Sequence, residues 1–339
     1  LATADGWIAA NLARPDDVAL LPAWLGGAPG ADPWRFVEKR LAKRAAAEVV
    51  GRARLLGLPA AVALNPRSRP PPWCRLAAVG RPAGGPRREA PLVVDLSSLW
   101  AGPLCAHLLG LAGARVVKVE STRRPDGARR GPAAFHDLMN GGKASVALDF
   151  RSAASRAALR GLVARADIVI ESARPRALAQ LGIDAETLVE ATPGLTWLSL
   201  SGYGRRQPQA NWVAFGDDAA VAAGLASATG PPGGPPLFCG DAIADPLTGL
   251  HAAVAALASW RGGGGHLLDL SLCDVTAHAL GFESELRDAS VREVGGSHEV
   301  CVGHEREAVA APFARRPREA ARALGADTVA VLTEQGIRC

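Results

Sequence analysis

Three features are missing from this 339-residue sequence: paired cysteines, a long apolar run and a block of basic residues. Its six cysteines are widely spaced and form no CxxC pair, so we expect free thiols and neither a disulfide framework nor a metal site. No apolar run approaches the length of a membrane span, and the N-terminus lacks the pattern of a signal peptide. We therefore expect a cytoplasmic protein. The sequence begins at Leu1 and its one methionine is Met139, which suggests a trimmed chain or a non-AUG start.

The charge of the chain is modest and dispersed. The formal net charge is +5, and only four of its basic residues are lysines. The arginines form no block interleaved with aromatic residues, so we expect no nucleic-acid partner. A modest positive net charge suits an anionic small-molecule ligand as well as it would suit a nucleic acid. Hydrophobic residues make up 48% and charged residues 21%, which is ample for a buried core.

Composition and periodicity divide the chain into four parts. The pattern predicts a small α+β domain over 1–66, a linker rich in Pro, Gly and Arg over 67–90, an α/β domain over 91–281, and a C-terminal segment over 282–339; the family resemblance described below implies that this last segment returns to the large domain. In the first part, residues 7–12 and 58–62 are strand-like. Helical signals lie between them, from Pro15 and from Pro33.

The part from residue 91 onward alternates apolar strands with helices. The predicted strands are 92–96, 115–120, 145–148, 168–171, 196–200 and 267–272, with helical segments near 104–111, 151–164 and 184–191. This alternation predicts a Rossmann-like open parallel sheet with helices on both faces, plus the smaller α+β domain. The loop after the first strand contains only Gly102 of a dinucleotide-binding fingerprint, which argues against a dehydrogenase.

The segment Gly240–His251 places the carboxylate of Asp245 directly before Pro246 and a run of small residues. The local pattern predicts a helix that begins at Asp245, with the aspartate as its N-cap. A helix start holds a carboxylate ionised and can stabilise a nearby oxyanion. A nucleophilic carboxylate and a plain helix cap both fit this pattern.

A series of short motifs occurs in order through the α/β part. They are Asp95-Leu96-Ser97, Ala101-Gly102-Pro103, Gly113-Ala114-Arg115-Val116-Val117-Lys118-Val119-Glu120, Asn140-Gly141-Gly142-Lys143, Ala166–Glu171, Arg174-Pro175, Leu181-Gly182, Leu198–Gly204, Ile243-Ala244-Asp245 and Leu267–Leu272. This series resembles the class III CoA-transferases of the CaiB/BaiF type, which include formyl-CoA transferase, carnitine CoA-transferases and α-methylacyl-CoA racemase. The resemblance runs from about residue 91 to 282.

The resemblance implies an acyl-CoA:carboxylate CoA-transferase in which Asp245 is the catalytic nucleophile. The aspartate would form a mixed anhydride with the acyl group and then an aspartyl-CoA thioester. Acyl-CoA and a carboxylate acceptor are then the partners. Coenzyme A is a substrate, and no permanently bound cofactor is expected. Family members form interlocked dimers, so a homodimer is expected. Asp241 is interpreted as a surface or supporting group, and Asp217 and Asp218 as caps of the helix from Ala219.

Two alternatives remain open at this stage. An acyl-CoA racemase or epimerase would pair the aspartate with a histidine, but no histidine lies between Ser201 and Gly224. We interpret His251 as a packed helix residue. A non-catalytic CoA-binding or partner subunit is the other alternative, because Ser121 replaces the arginine that usually follows Glu120 in the family.

For CoA itself, the resemblance points to the loop after the first strand and to basic residues near it. The candidates are Ser98, Ala101, Gly102, Arg123, Arg124, Lys143 and Arg174. A guanidinium suits bidentate phosphate contact. Arg123 and Arg124 fit equally well as solvated loop residues, and Lys143 as the cap of a turn. Ser172-Ala173 replaces an Asn-aromatic pair common in the family.

The order of the parts differs from that of the family. Asp5-Gly6-Trp7-Ile8-Ala9 and the helices after it resemble the family's small domain, which normally follows the α/β region. A fusion or permutation, or a tandem gene that lacks its first part, explains this order.

Overall fold

The computed structural model describes residues 1–85, 88–173, 175–231, 233–281, 289–311, 313 and 315–337. The chain forms a small N-terminal unit, a large sheet covered by helices, and a C-terminal segment that returns to that sheet. The predicted α/β class, an open and predominantly parallel sheet with a smaller α+β part, is confirmed.

Residues 1–66, here called the N-terminal unit, contain six regular elements. They are β1 (Ile8–Ala10), α1 (Pro15–Ala19), α2 (Leu21–Leu25), α3 (Pro33–Leu41), α4 (Ala46–Leu55) and β2 (Ala60–Val62). Strands β1 and β2 pair antiparallel. The side chains of Trp24 and Leu41 are fully buried in a core of the unit's own, and the Trp24 indole donates to the Val49 carbonyl at 2.8 Å. The elements agree with the strand and helix signals of the sequence.

The large sheet has seven strands. They are β3 (Arg75–Val79), β4 (Leu92–Leu96), β5 (Arg115–Ser121), β6 (Ala144–Leu148), β7 (Ile168–Glu171), β8 (Thr196–Ser201) and β9 (His266–Ser271). The order across the sheet is β3-β9-β8-β7-β4-β5-β6, and all neighbours from β9 to β6 are parallel. Their carboxyl ends therefore lie at one edge, where open α/β sheets bind ligands.

Helices cover both faces of this sheet or pack on the helices that do. They are α5 (Ala101–Leu111), α6 (Ala133–Asn140), α7 (Ala153–Val163), α8 (Pro175–Ala179), α9 (Ala185–Ala191), α10 (Gly216–Ala223), α11 (Leu225–Thr229), α12 (Ala244–Arg261) and α13 (Leu272–Leu280). Successive strand side chains point to opposite faces. Val93 packs with α5 and α12, whereas Val94 packs with α7 and α9. Within the described residues, no helix is long and apolar enough to cross a bilayer.

The predicted linker contains a strand that the sequence pattern does not indicate. Strand β3 pairs antiparallel with β9 and forms one edge of the large sheet. Leu76 and Val79 of β3 are exposed. An edge strand has a neighbouring strand on one side only, so its side chains bury little apolar surface. The flanking prolines fit an edge position, since proline cannot donate to a neighbouring strand.

The C-terminal segment contains an exposed antiparallel sheet and a docked helix. The sheet consists of β10 (Ala289–Val294), β11 (Ser297–Val302) and β12 (Glu305–Ala308), and the helix is α14 (Thr328–Glu334). Val331 and Leu332 of α14 are buried in the core of the large sheet. The Ser145 N–H of β6 donates to the Asp327 carboxylate at 2.9 Å, which fixes the segment to the sheet edge.

The glycine run between α12 and β9 forms a tight turn. Gly264 has a φ of 70°, and a Cβ there would overlap the carbonyl oxygen of Gly194. The turn therefore needs glycine for two reasons, the left-handed backbone and the close approach of a neighbouring loop.

We expect Gly264→Ala to lower the free energy of unfolding by clearly more than Gly182→Ala. Gly182 has a φ of 74°, but a Cβ there would meet only the Arg160 guanidinium at 3.5 Å. Left-handed backbone alone costs about 1–2 kcal/mol per residue. Urea denaturation of both variants measures the difference, and equal losses would contradict the close approach seen here.

Candidate active site

Asp245 lies in the first turn of α12, but it is not the helix cap that the sequence predicts. The helix begins at Ala244 with Ile243 at the N-cap position, and the Asp245 N–H donates to the Ala242 carbonyl at 2.8 Å. The cap prediction is wrong because this carboxylate binds no N–H of its own helix. Its oxygens instead accept hydrogen bonds from two neighbouring helices.

The two donors are the first residues of those helices. The Ala101 N–H, at the start of α5, lies 3.3 Å from Oδ1 of Asp245. The Gly216 N–H, at the start of α10, faces the same carboxylate and, as a donor, favours its charged form. The first N–H groups of a helix have no partner within the helix, and the helix dipole is positive at that end. Two helix starts therefore converge on one carboxylate.

The close approach of α10 depends on the absence of a side chain at Gly216. A Cβ there would overlap Oδ2 of Asp245 and the carbonyl oxygen of Ala242. Asp217, the next residue, accepts a hydrogen bond from the Ala242 N–H at 2.9 Å. The first turn of α10 thus contacts both the carboxylate and the chain that leads into it.

The pKa of the Asp245 carboxyl is raised to about 7. Burial is the main cause, because it removes water from the charged form. The hydrogen bonds from Ala101 and Gly216 oppose this effect, whereas the negative charges of Asp218 and Asp217 add to it. The carboxylate is therefore more basic than an ordinary aspartate, and near neutral pH it exists in both forms.

Two strained residues flank the site. Within the described residues, Leu99 (φ 71°) and Ala242 (φ 45°) are the non-glycine residues with positive φ. Such backbone costs about 1–2 kcal/mol per residue and persists only where neighbouring contacts enforce it. Leu99 is held by its N–H, which donates to Asp126 at 3.0 Å. Ala242 is held by Asp217.

A buried ion pair supports the loop between β4 and α5. Lys118, 1% exposed on β5, pairs with Asp126 at 2.9 Å and donates to the carbonyl of Ser97 at 3.0 Å. Burial lowers the pKa of Lys118, but the charges of Asp95 and Asp126 outweigh it and the pKa is raised. The ammonium thus stays charged and ties the loop to the sheet.

Lys118, Asp126 and Gly216 are not among the residues that the sequence predicts for this region. The signal for Lys118 is present in the sequence, because a lysine inside an apolar strand needs a buried acid as its partner. Nearby, the carboxylate of Glu120 at the end of β5 forms an ion pair with Arg129 at 2.6 Å. This acid therefore already has a partner within the protein. No comparable signal exists for Gly216, since its importance depends on a contact with a distant helix.

Three of the predicted CoA-binding residues lie in the loop and helix start after β4. Ser98 is exposed, and its N–H donates to the Ser172 hydroxyl at 3.1 Å. Ala101 and Gly102 are the first two residues of α5 and are buried. The structure therefore brings Ala101 together with Asp245 and leaves Ser98 accessible beside the carboxyl end of β7.

The predicted basic residues occupy different environments. Arg123 is exposed and lies 3.4 Å from the Asp149 carboxylate, and Arg124 is also exposed. Lys143 is buried, pairs with Asp95 at 2.8 Å and donates to the Pro103 carbonyl at 2.9 Å. Burial lowers the pKa of Lys143 to about 8, against the effect of Asp95. Its visible contacts fix α5 to the sheet.

Arg174, the remaining candidate, lies outside the described residues. The role of each of these basic residues toward CoA stays a prediction.

The other acidic residues of the two motifs have separate places. Asp241 is exposed. Asp218 is buried and accepts a hydrogen bond from the Phe215 N–H at 2.8 Å, and Asp217 lies in the first turn of the same helix. Helix α10 begins at Gly216, three residues before the predicted start at Ala219.

His251 is a packed helix residue, as predicted from the sequence. Its Nδ1 is hydrogen-bonded to the Leu247 carbonyl at 2.8 Å. Its ring packs edge-on against Trp73, with 5.1 Å between the ring centroids.

We expect Lys118→Met to lower the free energy of unfolding by about 3–5 kcal/mol, because it leaves the buried Asp126 carboxylate without its cationic partner. Lys39→Met is the matched control, since Lys39 is exposed on α3 and its loss should change stability by less than about 0.5 kcal/mol. Urea denaturation at neutral pH measures both variants. Similar losses in the two would contradict a structural role for the Lys118–Asp126 pair.

Several curated relatives in sequence carry the name of a CoA-transferase. The chain is 33% identical to a succinate–glutarate CoA-transferase of Agrobacterium fabrum, over 58% of this chain and 54% of the relative. It is 32% identical to an acetyl-CoA:oxalate CoA-transferase of Acetobacter aceti, over 61% of this chain and 57% of the relative. The chain thus spans about half the length of the curated relatives it matches.

Solved structures agree with these relatives. A CaiB/BaiF family protein from Brucella suis aligns with a TM-score of 0.54 at 28% identity, over 62% of this chain and 64% of that one. A hypothetical protein from Mycobacterium tuberculosis, with a TM-score of 0.57 at 24% identity, shares the fold over 67% of this chain and 66% of its own. The family model of CoA-transferase family III matches residues 91–305, which is more than half of the chain. The predicted resemblance is therefore confirmed, and the chain belongs to CoA-transferase family III.

Proposed function

We propose that this protein is an acyl-CoA:carboxylate CoA-transferase with Asp245 as its nucleophile. The observation that carries the proposal is the convergence of two helix starts on this carboxylate, through the N–H groups of Ala101 and Gly216. These donors are fixed before substrate binds, so they need no reorganisation when negative charge develops nearby. Membership of CoA-transferase family III supports the same reaction class.

The first half of the reaction moves the acyl group onto the enzyme. The Asp245 carboxylate attacks the thioester carbonyl of acyl-CoA, and the C–S bond breaks to release CoA thiolate and leave a mixed anhydride. The thiolate then attacks the aspartyl carbonyl of the anhydride. The donor carboxylate leaves with its electron pair, and an aspartyl-CoA thioester remains. A covalent intermediate divides one difficult exchange into smaller steps.

The second half reverses these steps with the acceptor. The acceptor carboxylate attacks the aspartyl thioester, which releases CoA thiolate and forms a second mixed anhydride. The thiolate attacks the acceptor's acyl carbonyl, and the Asp245 carboxylate is regenerated. No water is consumed, so a site that holds the intermediates away from solvent favours transfer over hydrolysis.

The raised pKa of Asp245 fits a nucleophile better than a carboxylate that only forms ion pairs. A carboxylate with a pKa near 7 is a stronger nucleophile than one near 4, and burial is the cause of that difference here. The Ala101 and Gly216 N–H groups lie where they can share the charge of the tetrahedral oxyanion once the carboxylate has reacted.

CoA is proposed to bind along the carboxyl ends of the parallel strands. Ser98 is exposed beside the end of β7, the start of α5 lies beside Asp245, and Arg123 and Arg124 are exposed at the end of β5. Guanidinium groups suit the phosphates of CoA. Lys143 and Arg174 remain candidates from the family resemblance. Coenzyme A acts as substrate, and no permanently bound cofactor is part of the proposal.

Transfer is favoured over racemisation because the segment that carries the second base of a racemase has no histidine in this sequence. No histidine occurs between Ser201 and Gly224, and the Nδ1 of His251 is hydrogen-bonded to its own helix. A homodimer, in the interlocked form of the family, and a cytoplasmic location complete the proposal. The free thiols of the described cysteines support a reducing compartment.

We expect acyl-CoA to modify Asp245 in the wild-type protein. The probes are succinyl-CoA, acetyl-CoA and formyl-CoA, which appear in the names of relatives. Hydroxylamine converts the anhydride or thioester to a hydroxamate, which tandem mass spectrometry locates on the peptide. Asp245→Ala should remove the adduct and lower the rate of CoA transfer by about 10⁴-fold or more.

Asp241→Asn is the matched control, because it changes an exposed acid four residues from Asp245. It should keep both the adduct and the activity. The absence of an adduct with every probe, or full activity in Asp245→Ala, would contradict the proposal. Solvent deuterium at the α-carbon of recovered acyl-CoA would point to a racemase instead.

We expect the rate of adduct formation to rise with pH through a midpoint near 7. The pKa of Asp245 is raised to about 7, so the nucleophilic carboxylate is depleted below this pH and fully formed above it. Quenched single-turnover reactions across neutral pH measure the midpoint directly. A rate that stays constant from pH 5 to pH 8 would show that an ordinary carboxyl, with a pKa of about 4, limits the step.

A further inference from the structure

The N-terminal unit contacts the candidate active site through one buried carboxylate, that of Asp218. This side chain is 0% exposed and accepts hydrogen bonds from three separate stretches of chain. Its donors are the Phe215 N–H at 2.8 Å, the Asn11 amide at 2.8 Å and the Tyr203 hydroxyl at 3.2 Å. Asn11 belongs to the N-terminal unit and lies 207 positions away in the sequence.

A second contact joins the two parts beside the first. The guanidinium of Arg54, on α4 of the N-terminal unit, lies 3.7 Å from the centroid of the Trp212 ring and 5.2 Å from that of Tyr203. The two rings pack edge-on against each other. A cation over an aromatic face is attracted by the ring. Arg54 therefore fixes the aromatic residue that donates to Asp218.

Small apolar residues complete the junction. Ala9 of β1 and Ala61 of β2 are buried against Val221, Ala222 and Ala223 of α10. Small side chains allow close packing, so the small sheet and α10 behave as one packed layer. The N-terminal unit thus holds α10 along its length as well as at its first turn.

The first turn of α10 is the part that contacts Asp245. Its Gly216 N–H faces the Asp245 carboxylate, and Asp217 holds the strained Ala242 through a 2.9 Å hydrogen bond. Asp218, the third residue of the same turn, is anchored by Asn11. A displacement of this turn would move one of the two donors and the chain that leads into the nucleophile.

We propose that Asp218 is a positioning residue through which the N-terminal unit, by way of Asn11, sets the geometry of Asp245. This inference rests on the proposed function, because it assigns the geometry a role in CoA transfer. The N-terminal unit is thereby part of the working active site rather than an appended domain.

The charges around Asp218 provide a readout that a merely structural residue would not give. Burial raises the pKa of Asp218 to about 6, and the Asn11 and Tyr203 hydrogen bonds oppose this effect. The charge of Asp218 acts on Tyr203, on Cys273 of α13 and on the Asp245 carboxyl; Arg54 of α4 acts on Tyr203 and Cys273, and Asp217 acts on Asp245. The charge of Asp218 also raises the pKa of Asp245. Removal of that charge should therefore lower the midpoint of the pH profile.

We expect Asp218→Asn and Asn11→Ala to lower kcat by about 10- to 100-fold, as a misplaced donor would. The KM for acyl-CoA should change by less than about threefold, because neither side chain is proposed to bind CoA. In Asp218→Asn, the pH midpoint of adduct formation at Asp245 should also fall below that of the wild type. Asn11→Ala keeps the Asp218 carboxylate, so it tests the positioning role separately from the charge.

Asp241→Asn is again the matched control and should leave kcat and the pH midpoint unchanged. Circular dichroism and thermal denaturation establish that each variant is folded. If Asp218→Asn does not fold, the kcat of Asn11→Ala tests the positioning role. Wild-type kcat in Asn11→Ala, with normal labelling of Asp245 in the wild-type protein, would overturn the positioning role and leave the proposed function intact. Absence of labelling in the wild type would overturn the proposed function itself.

Discussion

The hydrogen bonds that Asp245 accepts from outside its own helix are the constraint on which the site depends. The donors, Ala101 and Gly216, begin two different helices, so the carboxylate is in place only when α5, α10 and α12 are all docked. Each helix start is secured separately. Lys143 holds α5 through the Pro103 carbonyl, and Asp218 holds α10 through Phe215 and Asn11.

The buried ion pair under the loop after β4 also fixes the geometry of the site. The Lys118–Asp126 pair lies in a region from which water is excluded, and such a pair is expensive to form from solvated ions. Its value here is geometric, because Lys118 binds the Ser97 carbonyl and Asp126 binds the Leu99 N–H. Strain at Leu99 persists because this network leaves the loop a single arrangement.

The sequence predicts the large sheet well because its strands are buried on both faces. Continuous apolar runs such as Leu92–Leu96 and Ile168–Glu171 are recognisable without any knowledge of their neighbours. Strand β3 escapes prediction because it is exposed and lies between prolines. The direction of the Asp245 side chain cannot be predicted either. The local pattern indicates where the helix begins, but not which neighbouring helices donate hydrogen bonds to the carboxylate. Asp218 has the same limitation, because its partner Asn11 is 207 positions away.

The separation of Asn11 from Asp218 has a consequence for how the protein is made. The N-terminal unit has its own apolar core, so it can collapse as soon as it leaves the ribosome. Asn11 and Arg54 have no access to their partners, Asp218 and the rings of Tyr203 and Trp212, until the chain as far as residue 218 has been synthesised. Contacts between such distant residues form late, because a long loop must close first. The contacts that Asn11 and Arg54 make beside Asp245 therefore need the chain as far as residue 218, and a partly synthesised chain lacks them.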